Sequence, residues 1–259
     1  MIQALGTSTQ ARADRLHDAL STTFEGVFSA IGAASFERRV GHVRLLAPHI
    51  PIRVFNGVLV DSEPCSGIAD SIREVEERGL PCGVQVRAGK HPDIEEEVAR
   101  LGFSVQVPMP GMTASLDELV AAQAPDLEIT RVADEAGLTH GARIAADAVG
   151  APVELMQPLF APGLLELPGF DVYLGRVDGD AVTVAMAYRT GDDVGIFNVG
   201  TPPRHRRRGY GGAITAHAAR AAFDDGADLA WLQTSEMGES VYRSLGFRHV
   251  ELHFLLRRP

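Results

Sequence analysis

The feature that most restricts the fold is a set of short motifs that occurs twice in this 259-residue chain. A Phe-Asn pair at 55–56 and another at 197–198 each precede a glycine, Gly67 or Gly209, by eleven positions counted from the asparagine. A Leu-Gly-Phe motif then begins 34 residues after Gly67 and 36 residues after Gly209. Matching motifs at matching spacing indicate the duplication of one α/β unit. Chance coincidence of common dipeptides is the alternative interpretation.

The periodicity of apolar residues predicts a similar order of elements in both halves. In the first half it predicts a helix over 12–31, strands over 36–46 and 52–60, a helix over 67–78, a strand over 83–87, a helix over 92–101 and a strand to about 107. In the second half it predicts a strand over 127–131, helical segments over 135–148 and 153–167, strands over 172–177, 181–189 and 194–199, a helix to about 225, a strand over 229–234, a helix over 239–245 and a strand over 250–256. The predicted fold class is therefore α/β, with two mixed-sheet units in tandem, each a central sheet flanked by helices.

The Pro- and Gly-containing segment 108–126 has the composition of a linker. We therefore expect one domain at residues 1–110, a linker at 111–125 and a second domain at 126–259.

Composition excludes several classes of protein. With 45% hydrophobic and 22% charged residues the chain is ordinary globular material. Because no run approaches the roughly 18 apolar residues of a membrane helix, and the N-terminus lacks the pattern of a signal peptide, we expect a cytoplasmic protein that does not enter membranes. Cys65 and Cys82 belong to no zinc-ligand motif. The net charge of −10 gives nucleic-acid binding little electrostatic support.

The most informative segment runs from Val199 to Gly212 and connects a predicted buried strand to an alanine-rich helix. Glycines at 209, 211 and 212 allow a ligand to approach the backbone, and the helix start directs N–H groups and a positive dipole to the same point. Arginines at 206–208 add positive charge. These features predict a pyrophosphate-binding loop, and a solvated basic turn is the alternative interpretation.

Other phosphate-binding motifs do not match this loop. A dinucleotide fingerprint would need a glycine at position 214, which is Ile214, and no glycine-lysine-hydroxyl run forms a P-loop. Instead, Arg206-x-x-Gly209-x-Gly211 resembles the signature loop of the GNAT superfamily of acyl-CoA N-acyltransferases. The strand before the loop, the helix after it and the later segment 242–247 also fall where that family has them. The resemblance implies a tandem GNAT-like protein that uses acetyl-CoA as co-substrate and a small-molecule or peptide amine as acceptor.

The resemblance also implies roles for individual residues. In the family, the strand before the loop splays from its neighbour and pairs with the pantetheine arm, a contact that would fall to Val199, Gly200 and Thr201. The pyrophosphate would be held by Arg207, Arg208, Gly209, Tyr210, Gly211 and Gly212. Tyr242 matches the family's general acid near the cofactor sulfur; its alternative role is a packed aromatic beside Phe247.

The sequence departs from the family at the general base. Many relatives carry a glutamate at positions that hold Gly195 and Ala230 here, and Ser235 replaces an asparagine that contacts pantetheine. Candidates for the base are Glu154, Glu166, Asp193, or a water held by Asn198 and Gln233. Because none stands out, a non-catalytic acyl-CoA binding or regulatory protein is the alternative to direct transfer onto an amine. Nucleic-acid binding by the arginines is a third, weaker hypothesis.

The first half lacks the residues of the phosphate loop. Positions 64–66, which correspond to 206–208, hold Pro, Cys and Ser, and Asp61 and Glu63 precede them. Ala69 stands at the counterpart of the second loop glycine. We therefore expect this half to bind no cofactor. His249 and His253 are four apart in a predicted strand, about 13 Å from each other, and do not predict a metal site; the sequence leaves the oligomeric state open.

Overall fold

The computed structural model describes residues 2–259, which form two compact units. The first unit comprises residues up to 111 together with 234–236 and 250–259, and the second comprises 112–233 and 237–249. This division differs from the predicted one, because the last ten residues pack with the first unit and the expected linker belongs to the second.

Seven α-helices and eleven strands follow one another in the described residues. They are α1 (Ile2–Ala30), β1 (Ser35–Arg39), β2 (His42–Leu46), β3 (Asn56–Val60), α2 (Ile68–Glu76), β4 (Gly83–Arg87), α3 (Pro92–Arg100), β5 (Val105–Ser115), β6 (Glu128–Arg131), α4 (Glu135–Val149), α5 (Val153–Met156), β7 (Phe170–Val177), β8 (Asp180–Thr190), β9 (Asp193–Gly200), α6 (Tyr210–Asp224), β10 (Leu229–Gln233), α7 (Glu236–Ser244) and β11 (Arg248–Arg257).

The first unit is built on a mixed sheet. Strands β1, β2 and β3 are antiparallel neighbours, β3 and β4 are parallel, and the end of the chain adds β11 antiparallel to β4. Helix α2 presents Ile68, Ile72 and Val75 at helical spacing, and these side chains are buried with Val58 and Val84 of the sheet.

The second unit has the same mixed character. Strands β6 to β9 are antiparallel neighbours, and β10 lies parallel to β9. Alternation along β9 directs Val194 and Ile196 to the core that contains Ile214 and Ala218 of α6. Small alanines on α6 let this helix approach the sheet closely. The predicted α/β fold class is confirmed.

The clearest difference from the sequence prediction is at residues 108–115, expected to begin a linker. They continue β5, and Met112, Thr113 and Ala114 are fully buried. Pro108 and Pro110 misled the prediction, because proline lacks the N–H group that most strand positions use.

Two further segments are more broken than predicted. The strand expected over 36–46 is a hairpin that turns at Gly41, where φ is +74°. After α5 the helical stretch continues as 3-10 turns at Gln157–Phe160 and Pro162–Glu166. No helix within the described residues has the length and apolar character needed to cross a membrane.

Candidate active site

Strands β9 and β10 separate part of the way along their length. They pair at only three positions, the last of which joins Gly195 to Trp231. Strand β9 continues five residues further to Gly200, a distance of about 17 Å at the rise of a β-strand. The opening between residues 196–200 of β9 and 232–233 of β10 is called the strand cleft below. The family resemblance implied such a separation between the strand before the loop and its neighbour.

A β-bulge in β9 accompanies this parting. On β8, Val184 and Met186 are two residues apart, but their partners on β9, Gly200 and Phe197, are three apart. Asn198 lies in the bulge with φ of +50°. The extra residue of a bulge is unpaired, so backbone polar groups near Asn198 are available to a ligand. The sequence prediction missed the bulge, although asparagine is among the few residues that tolerate positive φ.

The three residues predicted to meet pantetheine lie in different surroundings. Val199 is partly buried against the core beneath α6. Gly200 is buried, its carbonyl accepts a hydrogen bond from Thr183 Oγ1 at 2.9 Å, and a Cβ added there would lie 3.2 Å from the Ala148 Cβ of α4. The Thr201 hydroxyl shares a hydrogen bond with that of Thr183 at 2.9 Å. Gly200 therefore also has a packing role that the sequence did not reveal.

Helix α6 begins without a side-chain cap. Its N-cap, Gly209, has φ of +82°, and no side chain bonds to the first turn. The N–H groups of residues 210–212 thus have no acceptor within the helix. A Cβ added at Gly211 would meet only the Thr201 Oγ1, at 3.4 Å, so the space beside this glycine is open. An uncapped helix start with open space beside it has the geometry that can accept an anion.

Two arginines of the loop hold it to helix α4. Arg204 forms an ion pair with Asp147 at 3.0 Å. Arg206 donates from Nε to the Thr201 carbonyl at 3.0 Å and from Nη2 to the Ala148 carbonyl at 2.6 Å. These two side chains fix the loop conformation and are not free to bind phosphate.

Two other arginines remain available. Arg207 and Arg208 are exposed and form no ion pair with another described residue, although the Arg208 side chain lies within hydrogen-bonding reach of the Tyr210 hydroxyl. The Tyr210 side chain does not face the open space, because it is buried and its hydroxyl donates to Asp126. That hydrogen bond raises the pKa of Tyr210.

Tyr242 lies on α7 and is half-buried against the same core as α6. Its ring meets that of Phe247 edge to face, with centroids 6.2 Å apart. Burial raises its pKa to about 12, so the hydroxyl stays protonated at neutral pH. No hydrogen-bond partner for this hydroxyl exists among the described residues. A protonated, unpartnered phenol suits a proton donor, although the packing role that the sequence left open is also fulfilled.

The two positions where relatives carry the catalytic glutamate are closed to such a side chain. A Cβ added at Gly195 would lie 2.5 Å from Cζ2 and 2.8 Å from Cε2 of Trp231, so the indole fills that space. Ala230 is fully buried in the core. The departure seen in the sequence thus has a packing cause.

Of the candidates for the base, only Asn198 and Gln233, the pair expected to hold a water, lie on the strand segments that form the strand cleft. Asp193 begins β9 and pairs with Leu229, at the end away from the opening. Glu154 and Glu166 are exposed, and Glu154 lines a separate cavity of about 340 Å³ between α4 and α5. Asn198 donates its side-chain amide to the Met186 sulfur at 3.2 Å.

No group of three or more histidine, cysteine, aspartate or glutamate side chains in the described part of the chain is arranged to bind a metal. His249 and His253 lie on β11, as predicted for a strand; His253 is fully buried and His249 is exposed. Ser235 is exposed directly after β10.

Comparison with known proteins agrees with this geometry. Residues 192–250, which span the strand cleft, the loop and α7, match the family model of the acetyltransferase (GNAT) domain. No curated protein matches the chain.

Solved structures extend the likeness to the whole fold. A GCN5-related N-acetyltransferase from Kribbella flavida superposes with a TM-score of 0.69 at 20% identity, covering 92% of this chain and 95% of that one. One from Sphaerobacter thermophilus gives 0.62 at 16% identity, covering 85% and 78%. A tandem GNAT protein from the clavulanic acid biosynthesis pathway gives 0.55 at 12% identity, covering 78% and 75%. The predicted resemblance to the GNAT superfamily, with its tandem fold, is confirmed.

Proposed function

We propose that the second unit binds acetyl-CoA and transfers its acetyl group to a primary amine. The observation that carries this proposal is the strand cleft leading to the uncapped start of α6. One end of the cleft suits an extended, amide-containing arm, and the other suits a pyrophosphate. The GNAT match over 192–250 supports acyl-CoA chemistry at this place.

Backbone groups and positively charged side chains would together hold the cofactor. The N–H groups of residues 210–212 and the guanidinium groups of Arg207 and Arg208 would hold the pyrophosphate. The amides of the pantetheine arm would pair with the free edge of β9 near Val199, Gly200 and Thr201. Because Gly211 has open space beside it, the phosphates can approach the helix start closely.

Transfer would proceed by direct attack, without a covalent enzyme intermediate. The neutral amine nitrogen forms a bond to the thioester carbon, and the carbonyl oxygen becomes an oxyanion that a backbone N–H of β9 in the strand cleft stabilises. As the carbon-sulfur bond breaks, the thiolate takes a proton from the Tyr242 hydroxyl, which stands ready in its protonated form. The amine's own proton leaves to water, and the tyrosinate is reprotonated from solvent.

A non-catalytic acyl-CoA binding or regulatory protein is the second candidate. The observation that favours it is the indole of Trp231 in the space of the missing glutamate. An alkyl ammonium with a pKa of about 10 must lose a proton before it can attack. A site without a carboxylate therefore suits a ligand sensor as well as an enzyme.

A thiol-release assay over a panel of amines separates the two candidates. An enzyme releases CoA at a rate that depends on the amine, whereas a sensor binds acetyl-CoA in calorimetry without releasing CoA. Failure to bind acetyl-CoA at all would contradict both.

The remaining assignments complete the proposal. We place the protein in the cytoplasm, with a small-molecule or peptide amine as its acceptor and no nucleic acid as its partner. The first unit would be a GNAT-like domain that binds no cofactor, and the second unit would be the acetyl-CoA-binding domain.

A further inference from the structure

Trp231 lies at the closed end of the strand cleft. It is paired with Gly195 at the last position before β9 and β10 separate. Its side chain is 3% exposed, and it is the only tryptophan of the chain. Any molecule that lies along the cleft therefore ends its path at this residue.

The indole of Trp231 reaches from β10 over β9 at the closed end of the strand cleft. Its six-membered ring lies against the α-carbon of Gly195, since an added Cβ would meet Cζ2, Cε2 and Cη2 at 2.5, 2.8 and 3.1 Å. Ala230 and Val194 close the opposite face of the sheet as part of the buried core. The closed end is thus filled by one large side chain, and this is possible only because residue 195 is glycine.

The length of the cleft places the reacting end of the cofactor at this indole, an argument that rests on the proposed function. The pantetheine arm has about as many chain bonds between phosphate and sulfur as four residues of backbone, and so spans about 13–14 Å when extended. The cleft measures about 17 Å from Gly200 to Gly195. A phosphate at the start of α6 lies beside Thr201, because a Cβ added at Gly211 would be 3.4 Å from Thr201 Oγ1. The extended arm therefore ends about two residues short of Trp231.

We propose that Trp231 is the floor of the acyl pocket and restricts the site to a short acyl group. The acyl carbons beyond the thioester point toward the closed end of the cleft. An acetyl group would end before the indole, whereas the longer butyryl chain would reach the volume that the indole occupies. Selection for acetyl-CoA would thus be a steric effect of one residue.

The test compares the binding of CoA, acetyl-CoA, propionyl-CoA and butyryl-CoA by calorimetry, with no acceptor present. The unmodified protein should bind acetyl-CoA more tightly than butyryl-CoA. Trp231→Ala should raise affinity for butyryl-CoA relative to acetyl-CoA by roughly tenfold or more, the scale of one methylene in a pocket. Trp231→Phe should shift the ratio in the same direction by less. It keeps an aromatic ring and loses no hydrogen bond, because Nε1 has no partner among the described residues.

Phe28→Leu is the matched control. Phe28 lies on α1 of the first unit, where it packs against Phe24 and Phe55. It is equally buried, at 3% exposed. Its substitution should lower stability without changing the ratio of acyl-CoA affinities.

Fluorescence adds a measurement that needs no variant. Because Trp231 is the sole tryptophan, its emission should change more with acetyl-CoA than with CoA. The inference is overturned if the unmodified protein binds butyryl-CoA as tightly as acetyl-CoA, or if Trp231→Phe leaves the affinity ratio unchanged. Loss of all acyl-CoA binding by the unmodified protein would instead contradict the proposed function itself.

Discussion

The same strand-loop-helix segment occurs in both units and differs chiefly in its loop. Strands β3 and β9 each have an antiparallel neighbour on one side and a parallel one on the other. Helices α2 and α6 each begin after a glycine, Gly67 or Gly209, with φ of +80° or +82° and no side-chain cap. The Leu-Gly-Phe glycines, Gly102 and Gly246, have φ of +93° and +91°. These parallels support the duplication inferred from the sequence.

The loops use their backbone differently. In the first unit, the N–H groups of Asp61 and Ser62 donate to the Gly41 carbonyl at 2.9 and 3.1 Å, and that of Ser66 donates to Val40 at 3.2 Å. The loop therefore closes against the β1-β2 turn. In the second unit the corresponding loop is held by the side chains of Arg204 and Arg206 and carries two further exposed arginines. The two loops therefore differ in what holds them and in the charge that they place before the helix.

The strongest test of this difference introduces a leucine at matching positions. Gly211→Leu places a side chain in the open space before α6, and should weaken acetyl-CoA binding about a thousandfold or abolish it, because phosphates can no longer approach. The backbone should accept leucine, since φ at this glycine is not positive. Calorimetry measures the loss.

Ala69→Leu, at the counterpart position of α2, is its control and should leave affinity unchanged. Equal affinity of Gly211→Leu and the unmodified protein would remove the loop assignment. A loss of binding in Ala69→Leu would show that the first unit's loop also serves the ligand.

The paired asparagines give the next test. Asn56 is fully buried, accepts from Ala47 N at 2.9 Å and donates to the carbonyls of Ile50 and Ile52 at 2.7 and 3.1 Å. Asn56→Ala leaves these groups unsatisfied and should lower the free energy of unfolding by about 3 kcal/mol. Asn198 lacks such a network, so Asn198→Ala should cost only about 1 kcal/mol, chiefly because alanine disfavours the φ of +50° at this position. Urea denaturation measures both, and similar losses would mean that Asn198 has a structural role too.

The order of helices and strands in both units could be predicted from the sequence, because periodicity, glycines and loop charge depend only on residues close together in the chain. The prediction failed where a residue's task depends on a distant partner. The Phe-Asn pairs look identical, yet only contacts across β2 and β8 distinguish a buried network from a bulge. Likewise, the absence of a glutamate at Gly195 was visible, but the indole that fills its place was not. The role of Tyr210 as a buried anchor to Asp126 depends on a residue 84 positions away.

Substitution of Tyr242 tests whether the second unit catalyses acetyl transfer in addition to binding acetyl-CoA. Tyr242→Phe removes the proton donor while keeping the ring against Phe247, and should lower kcat by roughly 100-fold with little change in acetyl-CoA affinity. Because burial raises its pKa to about 12, the donor stays almost fully protonated up to about pH 10. The rate should therefore show no decline from this group between pH 7 and 10. Unchanged turnover in Tyr242→Phe would assign the residue to packing alone.

The smallest expected effects are those of the arginine variants on acetyl-CoA affinity. They distinguish the arginine that holds the loop in place from the two that would contact the ligand. Arg207→Gln and Arg208→Gln should each raise the Kd for acetyl-CoA roughly tenfold, and the effect should shrink at high salt because these exposed charges are screened. Arg204→Gln breaks a surface ion pair with Asp147 and should change affinity by less than about threefold. If Arg204→Gln weakens binding as much as the others, the loop binds through its general positive charge. The counterpart segment 61–66 would then lack a ligand simply because it is acidic, and its closure against Gly41 would be incidental.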